Sequence, residues 1–452
     1  MFESRRKFFQ RISQQLRNSL LPELAILFGR WLPLEMNSKP GDFRDRIFTP
    51  WRTLILFVYQ ALTGNLSCSD IVQKAIAWLE PLKGKKISTN TSAYSQARKR
   101  LPSELLYEFG DRLIQQVPAP ETFHGHIVKV VDGTGLSMPD TPENRRAFPP
   151  QNGDRSGFPT LKLVGMFSLG IGTILDWGVG IGTTADLALF RSLWPSLQPG
   201  DLILGDRIFC SYVEFYYLQT RGIMILTRKN VWRKRQRTVK CLAPNDLIVE
   251  WAKPLHAPEW LTKEEWAAIP STIKIREVTF AINHPGFRTR EITIVTNLLD
   301  ESIPASDLAA LYRKRWCVEL FLRDIKISMG MDILKCKTPD MVEKEVHVFI
   351  LVYNIIRLIM LEAASEHGLS PHEISFTATI SAIKEWGPRL AGVRCESELK
   401  YLIEQFSRVV ASRRLRNRRD RVEPRVIKRR MKKYQLLKGN RHQFKEIPHC
   451  YS

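Results

Sequence analysis

The 452-residue chain lacks any pattern of paired cysteines. Its seven are scattered, odd in number and never spaced C-x-x-C. That argues against a disulfide framework and against a zinc site, and fits a reducing cytoplasm. Long apolar runs are missing too. Leu54–Val58 and Phe349–Met360, the second interrupted by Asn354 and Arg357, fall short of the ~18–20 apolar residues of a spanning helix. The basic start, MFESRRKFFQRISQQLRNSL, has neither an apolar core of ~7–15 residues nor a small-residue cleavage site, so no signal peptide is expected. With 25 Gly and 26 Pro the chain is not low-complexity. Acid is the scarce charge: 46 Asp and Glu stand against 68 Lys and Arg, a formal net charge of +22. Such an excess points to a polyanionic partner, nucleic acid ahead of anionic membrane.

The excess is uneven. Between Arg408 and Lys445 there are 16 Lys or Arg and two acids, Asp420 and Glu423. By itself such a run describes a solvated tail, yet it would neutralise many phosphates and add salt-dependent affinity after Ser407. A second cluster, Arg228–Lys240, holds seven Lys or Arg in thirteen residues with Trp232 among them. It suits backbone contact plus base stacking, or equally an exposed loop between strands.

Length suggests roughly two to four domains. Residues 1–121 read as helical, through Arg52–Leu62, Ser69–Leu79 and Ser92–Leu101, and form a candidate DNA-binding or oligomerisation region. From Ile127 the pattern changes to three consecutive strands (one at the start of 127–138, then Thr160–Ile174 and Ile174–Gly182). Helix Asp186–Leu193, strand Asp201–Leu204, helix Tyr212–Gln219 and strand Ile223–Thr227 follow. This α/β unit spans 122–228. Residues 229–300 read as a β-rich insertion, with strands at Leu247–Trp251, Thr272–Ile282 and Arg290–Asn297 and a turn at Asn-His-Pro-Gly (283–286). Helix returns at Ser306–Ile327 and Met341–Ala364, closing the second part of the core at 301–365. A helical region with the basic tail occupies 366–452.

Three acids stand where chemistry on phosphodiesters would need them. Cleavage and strand transfer with two metal ions requires a few carboxylates at the mouth of a sheet, and hard Mg²⁺ takes oxygen ligands. Asp132 lies among β-branched residues in Val130-Val131-Asp132-Gly133-Thr134. Asp206 lies just past the short strand Leu202-Ile203-Leu204. Either alone could be a turn or cap residue. Along Leu311–Ile327, Tyr312, Arg315, Glu319, Arg323 and Lys326 fall within about 80° of one another on a helix. The rest of that segment is apolar, which predicts a largely buried helix with Glu319 inside a basic cluster. A solvated face would give the same stripe.

Together these residues resemble a known family. Tyr312, Arg315, Glu319 and Lys326 match the Y-x2-R-x3-E-x6-K signature of the DDE transposases of bacterial insertion sequences. DGTGLSMPDTPEN (132–144) and GDRIFCSY (205–212) are similar to that group's first and second Asp blocks, and YNIIR (353–357) to the motif that follows the Glu. The resemblance runs from about Arg44 into the basic tail. It implies an RNase H-like core with a β-rich insertion, and Asp132, Asp206 and Glu319 as a catalytic triad holding two Mg²⁺ (or Mn²⁺) ions. Tyr312, Arg315 and Lys326 would contact DNA. The partners implied are transposon ends and target DNA, bound by a homodimer with a cytoplasmic, nucleoid-associated location and no small-molecule substrate. The expected chemistry is nicking at the terminal inverted repeats, then attack of the freed 3′-hydroxyl on target DNA. A catalytically silent DNA-binding derivative is the alternative, and a nuclease that cuts without joining is a third reading. In hairpin-forming members a Trp of the insertion stacks on a flipped base. Strand Arg290–Asn297 has none, and Trp232, Trp251, Trp260 and Trp266 lie elsewhere in the insertion.

Overall fold

The computed structural model describes residues 47–64, 66–83, 86–118, 122–150, 157–233, 235–281, 291–393 and 395–415. The basic start, the Asn-His-Pro-Gly turn and the tail beyond Leu415 lie outside the described residues. Four helices open this part of the chain: α1 (Pro50–Leu62), α2 (Cys68–Lys83), α3 (Ser92–Arg100) and α4 (Ser103–Gln115). Thr49 caps α1 by accepting from the Arg52 N–H, with Pro50 preset for the first turn. Most of α1 is buried, so it is a core element of the molecule.

Strands β1 (Thr122–Phe123), β2 (His126–Ser137), β3 (Thr160–Ser168) and β4 (Ile174–Ile181) come next, with α5 (Pro142–Ala147) after β2. Then follow α6 (Asp186–Ser192), β5 (Asp201–Gly205), α7 (Tyr212–Thr220) and β6 (Met224–Arg228). The sheet order begins β4-β3-β2-β5-β6. The first three strands are antiparallel, and β2, β5 and β6 run parallel. This is the expected RNase H-like core. Its parallel strands read as unbroken apolar runs because both faces are covered. Val128, Val130, Leu202 and Leu204 feed one core, while Val131, Ile203 and Ile225 feed the other.

The insertion does not stand apart from this sheet; it continues it. Strands β7 (Arg235–Ala243), β8 (Asp246–Ala252), β9 (Thr272–Ala281) and β10 (Glu291–Thr296), with helix α8 (Lys263–Ala268), extend the order as β6-β10-β9-β8-β7. Strand β10 pairs antiparallel with β6, matching Ile294 with Arg228. The basic cluster at Arg228–Lys240 is therefore not a loop throughout, because it includes the first half of the edge strand β7. Arg237 and Lys240 point to solvent there, and charge on an edge strand also keeps it from pairing with other chains.

Helices α9 (Ala305–Lys314) and α10 (Cys317–Arg323) follow, then a π-helical turn, Asp324–Ser328. The single helix expected over 311–327 is thus broken twice, at Arg315–Trp316 and at Asp324. Helices α11 (Pro339–Glu366), α12 (Phe376–Ala391) and α13 (Glu396–Ser412) complete the described chain. Helix α11 is long and apolar enough to cross a membrane by composition, but it is mostly buried inside the protein, as a central core helix is. Arg408, where the basic run begins, belongs to α13. Val410 and Ala411 of that helix are buried, so the residues just after Ser407 are packed helix and not tail.

Candidate active site

Strand register brings the first two acids together. In the parallel pair β2–β5, Val130 faces Leu204. Two residues further along, Asp132, midway along β2, and Asp206, just past the end of β5, leave the same face, since side chains alternate with period two. Asp206 keeps an extended backbone, and its Oδ1 accepts the Ile208 N–H at 2.7 Å, capping a single 3₁₀ turn. Asp132 Oδ1 accepts the Gly133 N–H at 2.8 Å. A Cβ at Gly133 would meet the Asp186 carboxylate at 2.9 Å, so a larger residue there would have to push that side chain aside.

The stretch from the end of α9 through α10 and the π turn supplies the remaining groups. Arg315, its side chain only 8% exposed, lies between two of the acids. Its Nη1 is 3.9 Å from Asp132 Oδ2 and its Nη2 donates to Glu319 Oε1 at 3.3 Å. Tyr312 is buried, and the Arg228 main chain hydrogen-bonds its hydroxyl. Burial pushes this phenol up to about 12, against the pull of Arg315 and with a further push from Asp206. Lys326 Nζ donates to Thr134 Oγ1 at 2.6 Å and to the Gly135 carbonyl at 3.1 Å, two and three residues past Asp132.

The electrostatics single out Asp132. Burial raises its pKa to about 6; the Gly133 N–H and Arg315 pull it down, and Asp206 and Glu319 push it up. Three carboxylates thus feel one another around a single guanidinium. All six residues picked from the sequence lie around β2 and β5, in the interior of the sheet. One expectation fails: Glu319 is not buried, its side chain being 53% exposed. Its helix shows Trp316 and Leu320 to solvent as well, so apolar composition misjudged which side faces inward. Sequence reasoning gave no role to Thr134, although it lies within the first Asp block, or to the main-chain group of Arg228. Among the described residues no three His, Cys, Asp or Glu side chains form a closed metal nest. The acids present an open, oxygen-only set instead.

Of the insertion's tryptophans, Trp251 is buried and donates to Glu277 Oε1, while Trp260 packs under the Arg191 guanidinium and Trp266 under Lys253 Nζ. Trp232 is 87% exposed.

Comparison with known proteins finds the chain's relatives among transposases. The chain is 27% identical over 367 residues to the transposase InsG for insertion sequence element IS4 of Escherichia coli (strain K12), covering 78% of this chain and 80% of that protein. A cryo-EM structure of the piggyBac transposase synaptic complex with hairpin DNA superposes with a TM-score of 0.44 at 10% identity, over 89% of this chain and 85% of that one. The transposase DDE domain family matches residues 123–355, a span that contains every residue of the site. The chain belongs to that family.

Proposed function

We propose that the protein cuts DNA at the terminal inverted repeats of an insertion sequence and joins the 3′ ends to target DNA by divalent-metal-dependent phosphoryl transfer. The observation that carries this is Asp132. Burial pushes its carboxyl to about 6, Asp206 and Glu319 add smaller pushes, and Arg315, 3.9 Å away, compensates only in part. Clustered carboxylates that repel one another favour a bound cation, and an open oxygen-only set suits Mg²⁺ or Mn²⁺, which keep several waters. Two such ions held by Asp132, Asp206 and Glu319 would supply the charge that activates the attacking oxygen and steadies the leaving one.

The chain's own side chains do the rest. The Arg315 fork, spanning Asp132 and Glu319, is placed for bidentate contact with a phosphate arriving between them. Lys326 offers a point charge beside β2. Tyr312, neutral at any working pH, offers a hydroxyl next to Asp206. No protein nucleophile is required: the nearby Cys317 thiol is raised by burial and stays protonated. DNA is the partner in this reading, and two ends held together call for a homodimer. Residues 1–121 and the tail would add DNA-holding surface.

The test uses purified protein, Mg²⁺ or Mn²⁺ and DNA carrying the element's terminal repeats. Cleavage at those ends is expected, and Glu319→Gln should lower it by ~10³-fold or more while leaving binding. Unchanged cleavage in that variant overturns the site. Binding without cleavage by the wild type would favour the silent alternative.

A further inference from the structure

The YNIIR segment takes no part in the chemistry above, yet α11 buries three polar side chains from it. Asn354 clamps the β3–β4 hairpin: its Oδ1 accepts the Ile174 N–H and its Nδ2 donates to the Ile174 carbonyl, both at 2.8 Å. Tyr353 donates its hydroxyl to the Gly172 carbonyl at 2.7 Å. Arg357 donates its Nε to the Tyr353 oxygen at 3.1 Å and its Nη2 to Asp324 Oδ2 at 2.8 Å. The guanidinium lies 4.8, 5.2 and 5.3 Å from the ring centres of Phe321, Phe376 and Tyr353. Arg357 and Asp324 are both buried.

Asp324 opens the π-helical turn that holds Lys326. Wide turns of this kind are rare and need support from outside the helix. The ladder confirms the widening, with Met329 N–H donating to the Asp324 carbonyl and Asp332 N–H to the Lys326 carbonyl. On a regular helix Lys326, seven residues after Glu319, would lie within ~20° of it. A wider turn advances fewer degrees per residue, so it swings Lys326 off that line, toward Thr134 and Gly135 on β2. A buried ion pair is a poor source of stability in itself, but a good way to hold one geometry against alternatives.

We propose that Asp324 and Arg357 are positioning residues. Their buried pair locks the π turn, and the turn presents Lys326 to the phosphate beside Asp132. Thr134 is the opposite jaw of the same clamp, accepting from Lys326 on the strand side. This rests on the reading of Lys326 as a DNA contact.

The experiment is a double-mutant cycle on cleavage of pre-bound terminal-repeat DNA, run well below the melting temperature of every variant. Asp324→Asn should slow cleavage about 10-fold in the wild-type background and less than about 2-fold in the Lys326→Ala background, because both changes remove the same presented charge. An equal loss in the two backgrounds would mean a merely structural role and overturns the proposal, as would wild-type cleavage by Asp324→Asn. If Asp324→Asn does not fold, Thr134→Val, nearly isosteric, takes its place in the same cycle with the same two outcomes. Wild-type cleavage by Lys326→Ala would instead overturn the underlying reading of Lys326, and is distinguishable because it appears in that single variant.

Discussion

In the insertion half of the sheet, Asp246 and Glu277 are buried and closely partnered. Arg276 meets Asp246 with two parallel hydrogen bonds, Nε to Oδ1 at 2.8 Å and Nη2 to Oδ2 at 2.6 Å. Glu277 Oε1 takes the Trp251 indole N–H at 3.0 Å and Lys229 Nζ at 2.7 Å. In the parallel half, Asp132 is also largely enclosed, but its one cation stands 3.9 Å off and its other charged neighbours are acids. In sequence all of these are acids in or beside strands. What separates them is compensation. Where the charge is matched, the acid holds the fold; where it is left short, it is the acid we propose takes a cation from outside. The family match spans both halves, so the difference lies in local partners and not in ancestry.

Removing a cation from each half should show the largest contrast. Arg276→Met strands a buried carboxylate and is expected to cost about 3–5 kcal/mol, read as a large drop in denaturation midpoint. Arg315→Met should leave the fold standing and lower end cleavage instead. If both variants unfold alike, the contrast breaks. Asp132→Asn probes the same point with the opposite sign. The folded pKa of Asp132, about 6, lies above its ordinary value of 3.8, so the folded state binds the extra proton and ionisation opposes folding. That penalty is complete about a unit above pH 6 and gone about a unit below pH 4. Asp132→Asn should therefore stabilise by on the order of 3 kcal/mol at pH 7.5 and by almost nothing at pH 3, as thermal melts at the two pH values would show. A destabilised variant at pH 7.5 would mean that Asp132 is compensated after all. The smallest effect concerns the exposed pair Lys240–Glu301, 2.7 Å apart on the outer strand. Lys240→Ala should change stability by less than ~0.5 kcal/mol, yet reduce the salt slope of DNA binding by about one unit if this edge touches phosphates. An unchanged slope would confine the DNA to the parallel half.

How much of this was legible beforehand follows from which residues carry their environment in their own chemistry. Strands β2 and β5 were readable because two-sided burial makes them unbroken apolar runs. Strand β7 was hidden, since Arg235–Ala243 has the composition of a loop and only its edge position lets so much charge sit in a strand. The Tyr-Arg-Glu-Lys spacing located the third acid, but it is blind to the π turn, which leaves the spacing intact while moving Lys326. Exposure of Glu319 was misread because Trp316 and Leu320, apolar as they are, face outward. Thr134 and Arg357 act through partners about 190 and 33 residues away, at Lys326 and Asp324, and a single sequence does not show such pairings.

The joining of β10 to β6 bears on the birth of the protein as well as its final form. During synthesis β6 is complete at Arg228, but the strand that covers its open side ends only at Thr296. At ~5–20 residues per second this leaves an apolar edge unpaired for roughly 3–14 s on the ribosome. Over that interval Asp132 and Asp206 have both been made while Glu319 has not. The nascent chain is thus sticky and unfinished at once, a state in which shielding by a chaperone matters more than for a core whose strands close in order.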